Sequence, residues 1–314
     1  MNKITIIGAG NVGSTIAYTL SIMGLAKDIV MIDIKSDLAL GEALDIRQGT
    51  PFSSNCTIYA GSYADAADSN IVILTSGVAR KPGQSRLELA QTNVNICKSI
   101  MPQVTKYAPD AIYIIVSNPV DILTYQFFKY SGLPENHIIG SGTILDTARL
   151  KSRLSQYYNI SQNNVHAYVF GEHGDSSFIP WSLANISNVP VLEYHEKMTQ
   201  DTSTFPKLDL DEVEQYVRKS GARVIARKGA TFYAVAVSVC HICKCLLNGM
   251  DTTMTVSTMM HGEYGIDDVC LSVLNVVGYE GAHSKLLAPL TDEEIVKLHH
   301  SADTLKEVIS SLEF

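Results

Sequence analysis

No stretch of this chain stays apolar long enough to span a membrane. The longest candidate, residues 230–247, is interrupted by Ser238, His241 and Lys244. Positive charge is not in excess either: 24 Lys and Arg stand against 32 Asp and Glu, for a formal net charge of −8 and a sequence pI near 5.6. The footprint of a nucleic-acid-binding protein is therefore missing, and a small anionic substrate would need individually placed arginines. Internal repeats and low-complexity segments are absent. The six cysteines show no metal-ligand pattern. Cys240, Cys243 and Cys245 crowd around His241, but on a helix the first two share a face and the third points away. No second ligand pair of matching spacing exists, so buried small hydrophobes are expected and no metal. The first expected strand begins within three residues of Met1, leaving no room for a signal or transit segment; with the thiols read as reduced, a cytoplasmic location is expected.

What is present begins with Gly8-Ala9-Gly10-Asn11-Val12-Gly13, which follows directly on the β-branched, apolar run 3–7. Gly8 permits a tight turn, Gly10 lets the backbone approach a pyrophosphate, and Gly13 lets the next helix pack closely on the strand. The helix that starts near Val12 follows, with Asn11 at its threshold, and its free N–H groups attract phosphate. A second apolar run ends in Asp33, 20 residues beyond Gly13, where a carboxylate takes the ribose hydroxyls of adenosine and repels the extra phosphate of NADP. The expected cofactor is NAD.

At 314 residues, 46% hydrophobic and 18% charged, the chain is globular and long for a single core. Strands are expected near 3–7, 29–33, 57–60, 71–75, 112–117 and 137–139, with helices starting near Val12, Asp37, Leu87 and Val120. That alternation is the signature of an α/β fold, a doubly wound parallel sheet. Thr75-Ser76-Gly77 and Ser117-Asn118-Pro119 end strands on the ligand side, making Thr75, Gly77 and Asn118 candidates. The polar stretch 78–86 reads as a loop that closes over substrate. Beyond Gly142 come longer helices near 145–158, 210–228 and 233–247, and a last one opened by a capping box at Thr291. The expected division is a dinucleotide domain, 1–142, and an α+β catalytic domain, 143–314.

Asp146 and Arg149, three apart, share one face of the helix near 145–158. His173 lies in Gly171-Glu172-His173-Gly174-Asp175. Reducing a ketone by hydride requires a proton at the forming alkoxide, and an imidazolium stabilised by a carboxylate supplies one near neutral pH.

Four strings, in this order, resemble the L-lactate and malate dehydrogenase family: Gly8-Ala-Gly-Asn-Val-Gly, Ser117-Asn-Pro-Val-Asp, Gly140-Ser-Gly-Thr-Ile-Leu-Asp-Thr-Ala-Arg and Gly171-Glu-His-Gly-Asp-Ser. The resemblance implies a Rossmann domain and these roles. His173 would be proton donor and acceptor, oriented by Asp146. Arg149 would grip the substrate carboxylate bidentately, a geometry lysine cannot reproduce. Arg86 would polarise the ketone, Asn118 would lie beside nicotinamide and substrate, and Val235 would pack on the nicotinamide ring. The substrate side chain would meet Arg80, Lys81 and Thr231.

Arg80 resembles malate enzymes, in which an arginine here pairs with the second carboxylate of oxaloacetate. Gly142-Thr-Ile-Leu and Lys228-Gly-Ala-Thr-Phe-Tyr resemble the lactate branch. Pyruvate and lactate are thus the expected substrates, malate dehydrogenase the alternative, and a non-catalytic NAD-binding sensor or scaffold the rival from another class. The resemblance also implies a homotetramer or dimer. Lys151 and His166 fall where activated relatives hold fructose 1,6-bisphosphate with an arginine and a histidine; the alternative is that both are merely solvated.

Overall fold

The computed structural model describes residues 2–79, 83, 85–198 and 208–314. Six parallel strands form its centre: β1 (Lys3–Ile7), β2 (Asp28–Ile32), β3 (Thr57–Ala60), β4 (Ile71–Leu74), β5 (Ile112–Ile115) and β6 (Ile138–Gly140). Their order, β3-β2-β1-β4-β5-β6, reverses direction between β1 and β4. This is the doubly wound Rossmann arrangement, and it opens a crevice beyond the carboxyl ends of β1 and β4.

Strands such as Ile71–Leu74 and Ile112–Ile115 are apolar at every position because both faces of the sheet are covered. Alternate residues serve opposite faces. Ile7, Val30, Leu74 and Ile115 join one core with α3 (Arg86–Thr105) and α4 (Val120–Tyr130). Ile6, Met31, Ile73 and Ile114 join the other with α1 (Asn11–Met23) and α8 (Tyr233–Asn248). A further helix, α2 (Ser36–Gly49), packs beside β3.

Three antiparallel strands extend the same sheet past β6: β10 (Thr252–His261), β11 (Asp267–Gly278) and β12 (Gly281–Lys285), joined to β6 through Ser257 opposite Gly140. Sequence reading placed no strands here, nor in the small sheet of β7 (Val165–His166), β8 (Asn185–Ile186) and β9 (Val189–Pro190), which precedes α6 (Val191–Lys197). Against this sheet α5 (Ile144–Tyr158) packs on β10 and α9 (Asp292–Ser310) on β11, and α7 (Leu210–Lys228) packs on α5. Thr291 caps α9 as expected: its hydroxyl accepts from the Glu294 N–H, and the Glu294 carboxylate accepts from the Thr291 N–H.

Cys240, Cys243 and Cys245 lie on α8, and all three are buried, Cys245 included; it also contacts His241 at 3.9 Å. Among the described residues, no group of three or more His, Cys, Asp or Glu is placed to hold a metal ion. No described helix is long and apolar enough to cross a membrane.

Candidate active site

The glycine turn between β1 and α1 is as tight as its spacing predicts. Gly8 has φ +106°, and a Cβ there would come within 2.8 Å of the Ser76 N–H nitrogen. A Cβ on Gly13 would overlap the Gly8 carbonyl oxygen, so α1 can approach β1 only with glycine at this position. Gly10, by contrast, faces open space and precedes the helix without any side-chain cap. Those features fit a pyrophosphate: room at Gly10 and uncapped N–H groups of Asn11 and Val12 behind it.

Asp33, just past β2, accepts hydrogen bonds from the Ala9 N–H (2.7 Å) and the Lys35 N–H (2.8 Å). The carboxylate thus braces the turn, and each oxygen keeps a lone-pair direction for a ribose hydroxyl. Thr75 turns its hydroxyl onto the Gly8 carbonyl (2.9 Å), closing β4 against the same turn.

A cavity of about 540 Å³ runs from the side of this turn to His173, Asp146 and Arg149. It is lined by Val12, Thr75, Gly77, Asn118, Asp146, Arg149, His173, Thr231 and Val235 among others. Nine of the predicted site residues therefore share one space, although they come from β-strand ends, α1, α5, α8 and the 171–175 loop.

Asp146 organises the chemistry. One carboxylate oxygen meets His173 Nδ1 at 2.6 Å and the other accepts from Arg149 Nη1 at 2.7 Å. Helical spacing brings Asp146 and Arg149 together, but His173 arrives from 27 residues away. Burial alone would push Asp146 up; the charges and hydrogen bonds of His173 and Arg149 outweigh it and hold the carboxyl below its usual range. Burial likewise disfavours charge on His173, yet Asp146, with a smaller contribution from Asp121, raises the imidazole above its ordinary value. Nδ1 is thus engaged by Asp146, and His173 lines the cavity.

A second carboxylate beneath His173 was assigned no role from sequence. Asp121 on α4 is 2% exposed, accepts the His173 backbone N–H at 2.8 Å, and accepts the Ser257 hydroxyl at 2.6 Å. Burial pushes its pKa up to about 6. Asn93, on α3 and also buried, ties the loop base together: its side chain accepts from the Val78 N–H (2.9 Å) and donates to the Asn118 carbonyl (2.8 Å). Asp121 stood inside a recognised string, Ser117-Asn-Pro-Val-Asp. Asn93 and Ser257 carry no local signal, because each matters only through a partner distant in sequence.

Arg218 on α7 also borders the cavity, where Nε and Nη2 donate to the Ser177 carbonyl at 3.0 and 2.8 Å. Arg86 is not part of the cavity lining. It begins α3, is mostly exposed, and pairs with Asp175 at 2.5 Å, two residues from His173. Arg80 and Lys81 lie outside the described residues. Lys151, on α5, is partly buried, which lowers its pKa, and its ammonium lies 5.9 Å from the Tyr168 ring centre. His166 is exposed on β7, the strand against which α5 packs.

A dinucleotide turn facing a carboxylate-held imidazole across one cavity defines a nicotinamide-dependent oxidoreductase. Comparison with known proteins narrows that class. Residues 2–140 match the family model of the lactate/malate dehydrogenase NAD binding domain, and residues 143–313 match that of the family's alpha/beta C-terminal domain. The chain belongs to the lactate/malate dehydrogenase family. It is 44% identical over 313 residues to the L-lactate dehydrogenase of Acetivibrio thermocellus, covering 100% of this chain and 98% of that one. An L-lactate dehydrogenase of Clostridium perfringens is 46% identical over 312 residues, with 99% and 98% covered. Among solved structures, the minor L-lactate dehydrogenase of Enterococcus mundtii superposes with a TM-score of 0.94 at 36% identity, covering 100% of this chain and 99% of that one. These relatives do not favour the malate alternative.

Proposed function

We propose that the chain is an NAD-dependent L-lactate dehydrogenase that interconverts pyruvate and L-lactate, with His173 as proton donor and acceptor. The observation that supports this most directly is the Asp146 bridge, which ties a cavity-facing imidazole and a cavity-facing guanidinium to one buried carboxylate. Gly8, Gly10, Asn11, Val12, Gly13, Asp33, Thr75, Gly77, Asn118 and Val235 are the residues that would hold NAD. Bound NADH supplies the hydride.

Arg149 binds the substrate carboxylate. With one nitrogen engaged by Asp146, its remaining edge is free for two parallel hydrogen bonds, and that grip sets the keto carbon's position. Protonated His173 then donates from Nε2 to the oxygen that becomes the hydroxyl. Asp146 makes the protonated form available near neutrality and fixes the ring's tautomer through Nδ1. Arg86 would polarise the carbonyl. Asn118 and Thr231 line the cavity and would flank the carbonyl and the substrate side chain, which Arg80 is proposed to meet. Gly221, Ala222 and Ile225 of α7 also line the cavity; these small or apolar groups suit a methyl better than a second carboxylate.

The proposal includes a cofactor unit, 1–142, and a substrate unit, 143–314, in a cytoplasmic homotetramer or dimer. Exposed apolar side chains on α1, α7 and α8, among them Ile22, Ile225, Tyr233 and Val237, support self-association. Fructose 1,6-bisphosphate at Lys151 and His166 is proposed as an activator, since a partly buried lysine on α5 would couple an anion there to the helix carrying Asp146 and Arg149.

The test is NADH oxidation by the purified protein with pyruvate and with oxaloacetate under identical conditions, repeated with His173→Asn. A large preference for pyruvate that His173→Asn abolishes is expected. Preference for oxaloacetate would make the protein a malate dehydrogenase read by Arg80. No turnover with any 2-oxo acid despite NADH binding would leave a sensor or scaffold.

A further inference from the structure

We propose that Ser301, on α9, is a positioning residue for this reaction: its hydroxyl pins the loop that carries His173 at the height where the imidazole meets Asp146. The inference rests on the reading of His173 as the acid–base group.

Three consecutive backbone N–H groups hold that loop, each bound to a different element. Gly171 donates to the Ser272 carbonyl of β11 at 2.9 Å. Glu172 donates to Ser301 Oγ of α9 at 2.7 Å, and His173 donates to Asp121 of α4 at 2.8 Å. The tripod fixes the height and tilt of the backbone from which the imidazole projects. Two of its legs are side chains, and of these Ser301 lies outside every recognised string.

Ser301 has no solvent exposure. The loop crosses it so closely that Gly171, at φ +90°, could carry no side chain: a Cβ would lie 2.5 Å from Ser301 Oγ and 3.0 Å from Ser301 Cβ. Ser301 Oγ also lies 3.1 Å from the Ser176 hydroxyl, which in turn donates to the Glu172 carboxylate. The far side of the loop is therefore tied to the same atom. Ser301 is not among the residues that line the cavity, so it acts through the loop alone.

Removing this oxygen leaves the partly buried Glu172 N–H without its acceptor, and the loop must shift to rehydrate it. His173 moves with it. The charged groups acting on the imidazole are Asp146 and Arg149 from α5 and Asp121 from α4, while Glu172 of the loop acts on Asp121. Its neighbour Asp175 pairs with Arg86 of α3. Of these, Asp146 makes the only hydrogen bond to the ring itself, and it is the contact a displaced backbone weakens.

The experiment compares Ser301→Ala, Ser176→Ala and His173→Asn with the wild-type protein in steady-state pyruvate reduction from acid to alkaline pH. In Ser301→Ala, kcat is expected to fall roughly tenfold to a hundredfold while KM for NADH stays within about twofold, because orientation is lost and the cofactor turn is untouched. The alkaline limb of the kcat/KM profile should move to lower pH, since an imidazolium less well paired with Asp146 gives up its proton sooner. Ser176 is only partly buried, so Ser176→Ala keeps the protein folded; it should show a smaller fall and a shift of the same sign. If both variants keep wild-type kcat and an unmoved pH profile, Ser301 is packing only and the inference is overturned, even if thermal stability drops. Should His173→Asn retain turnover within about tenfold, the acid–base reading fails instead.

Discussion

Asp121→Asn tests the electrostatics under His173 through stability rather than rate. In the folded protein Asp121 is buried and its pKa stands at about 6, against an ordinary 3.8. A carboxyl raised by folding makes the fold most stable below its unfolded pKa, and that contribution is lost as pH rises through the folded value. At ~1.36 kcal/mol per pKa unit, a rise of about two units amounts to roughly 3 kcal/mol over the full span. About 1.4 kcal/mol of this falls between pH 5 and pH 8. Asparagine cannot ionise, yet its carbonyl can still accept the His173 N–H, and Ser257 can rotate to accept from its amide. Urea unfolding of both proteins at intervals from pH 5 to pH 8 should therefore show the variant gaining on the wild type by about 1.4 kcal/mol as pH rises. A stability difference that is flat across this range, or that moves the other way, would refute a buried, desolvation-dominated Asp121.

Asp146→Asn removes the charge that both His173 and Arg149 lean on. The drop in kcat/KM for pyruvate should be at least a hundredfold, with the alkaline limb of the pH profile shifted to lower pH, because the imidazole loses its main stabilising partner. Pyruvate reduction by the wild-type protein should persist above pH 6.5 and then decline as His173 deprotonates at its raised pKa, as a pH series at saturating NADH would show. Gly13→Ala should weaken NADH binding by more than tenfold and cost about 1–3 kcal/mol of stability, because α1 must back away from the Gly8 carbonyl; fluorescence titration and thermal melting measure the two.

The dinucleotide half was legible because its signals are local. A buried parallel strand needs an apolar run, the turn after it needs glycines at Gly8, Gly10 and Gly13, and the acid sits at a set distance, so these residues lie together in one window of sequence. Asp146 and Arg149 were legible for the same reason, helical spacing. His173 showed itself as an imidazole between glycines, and the resemblance, now supported by full-length relatives, joined it to Asp146. The antiparallel strands β10 to β12 went unread, although Thr252–His261 is strand-like in composition, because the preceding helices suggested that the alternation had ended. Only tertiary structure decided which buried polar groups hold the site. Asp121, though inside a recognised string, was given no role, and Asn93, Ser257 and Ser301 are ordinary residues in their own neighbourhoods; each acquires its role from a backbone, hydroxyl or carboxylate group that folding delivers from 15 to 136 residues away. A hydrogen bond between such groups depends on where whole elements pack, and that is set by the combined burial of both faces of the sheet rather than by any local pattern.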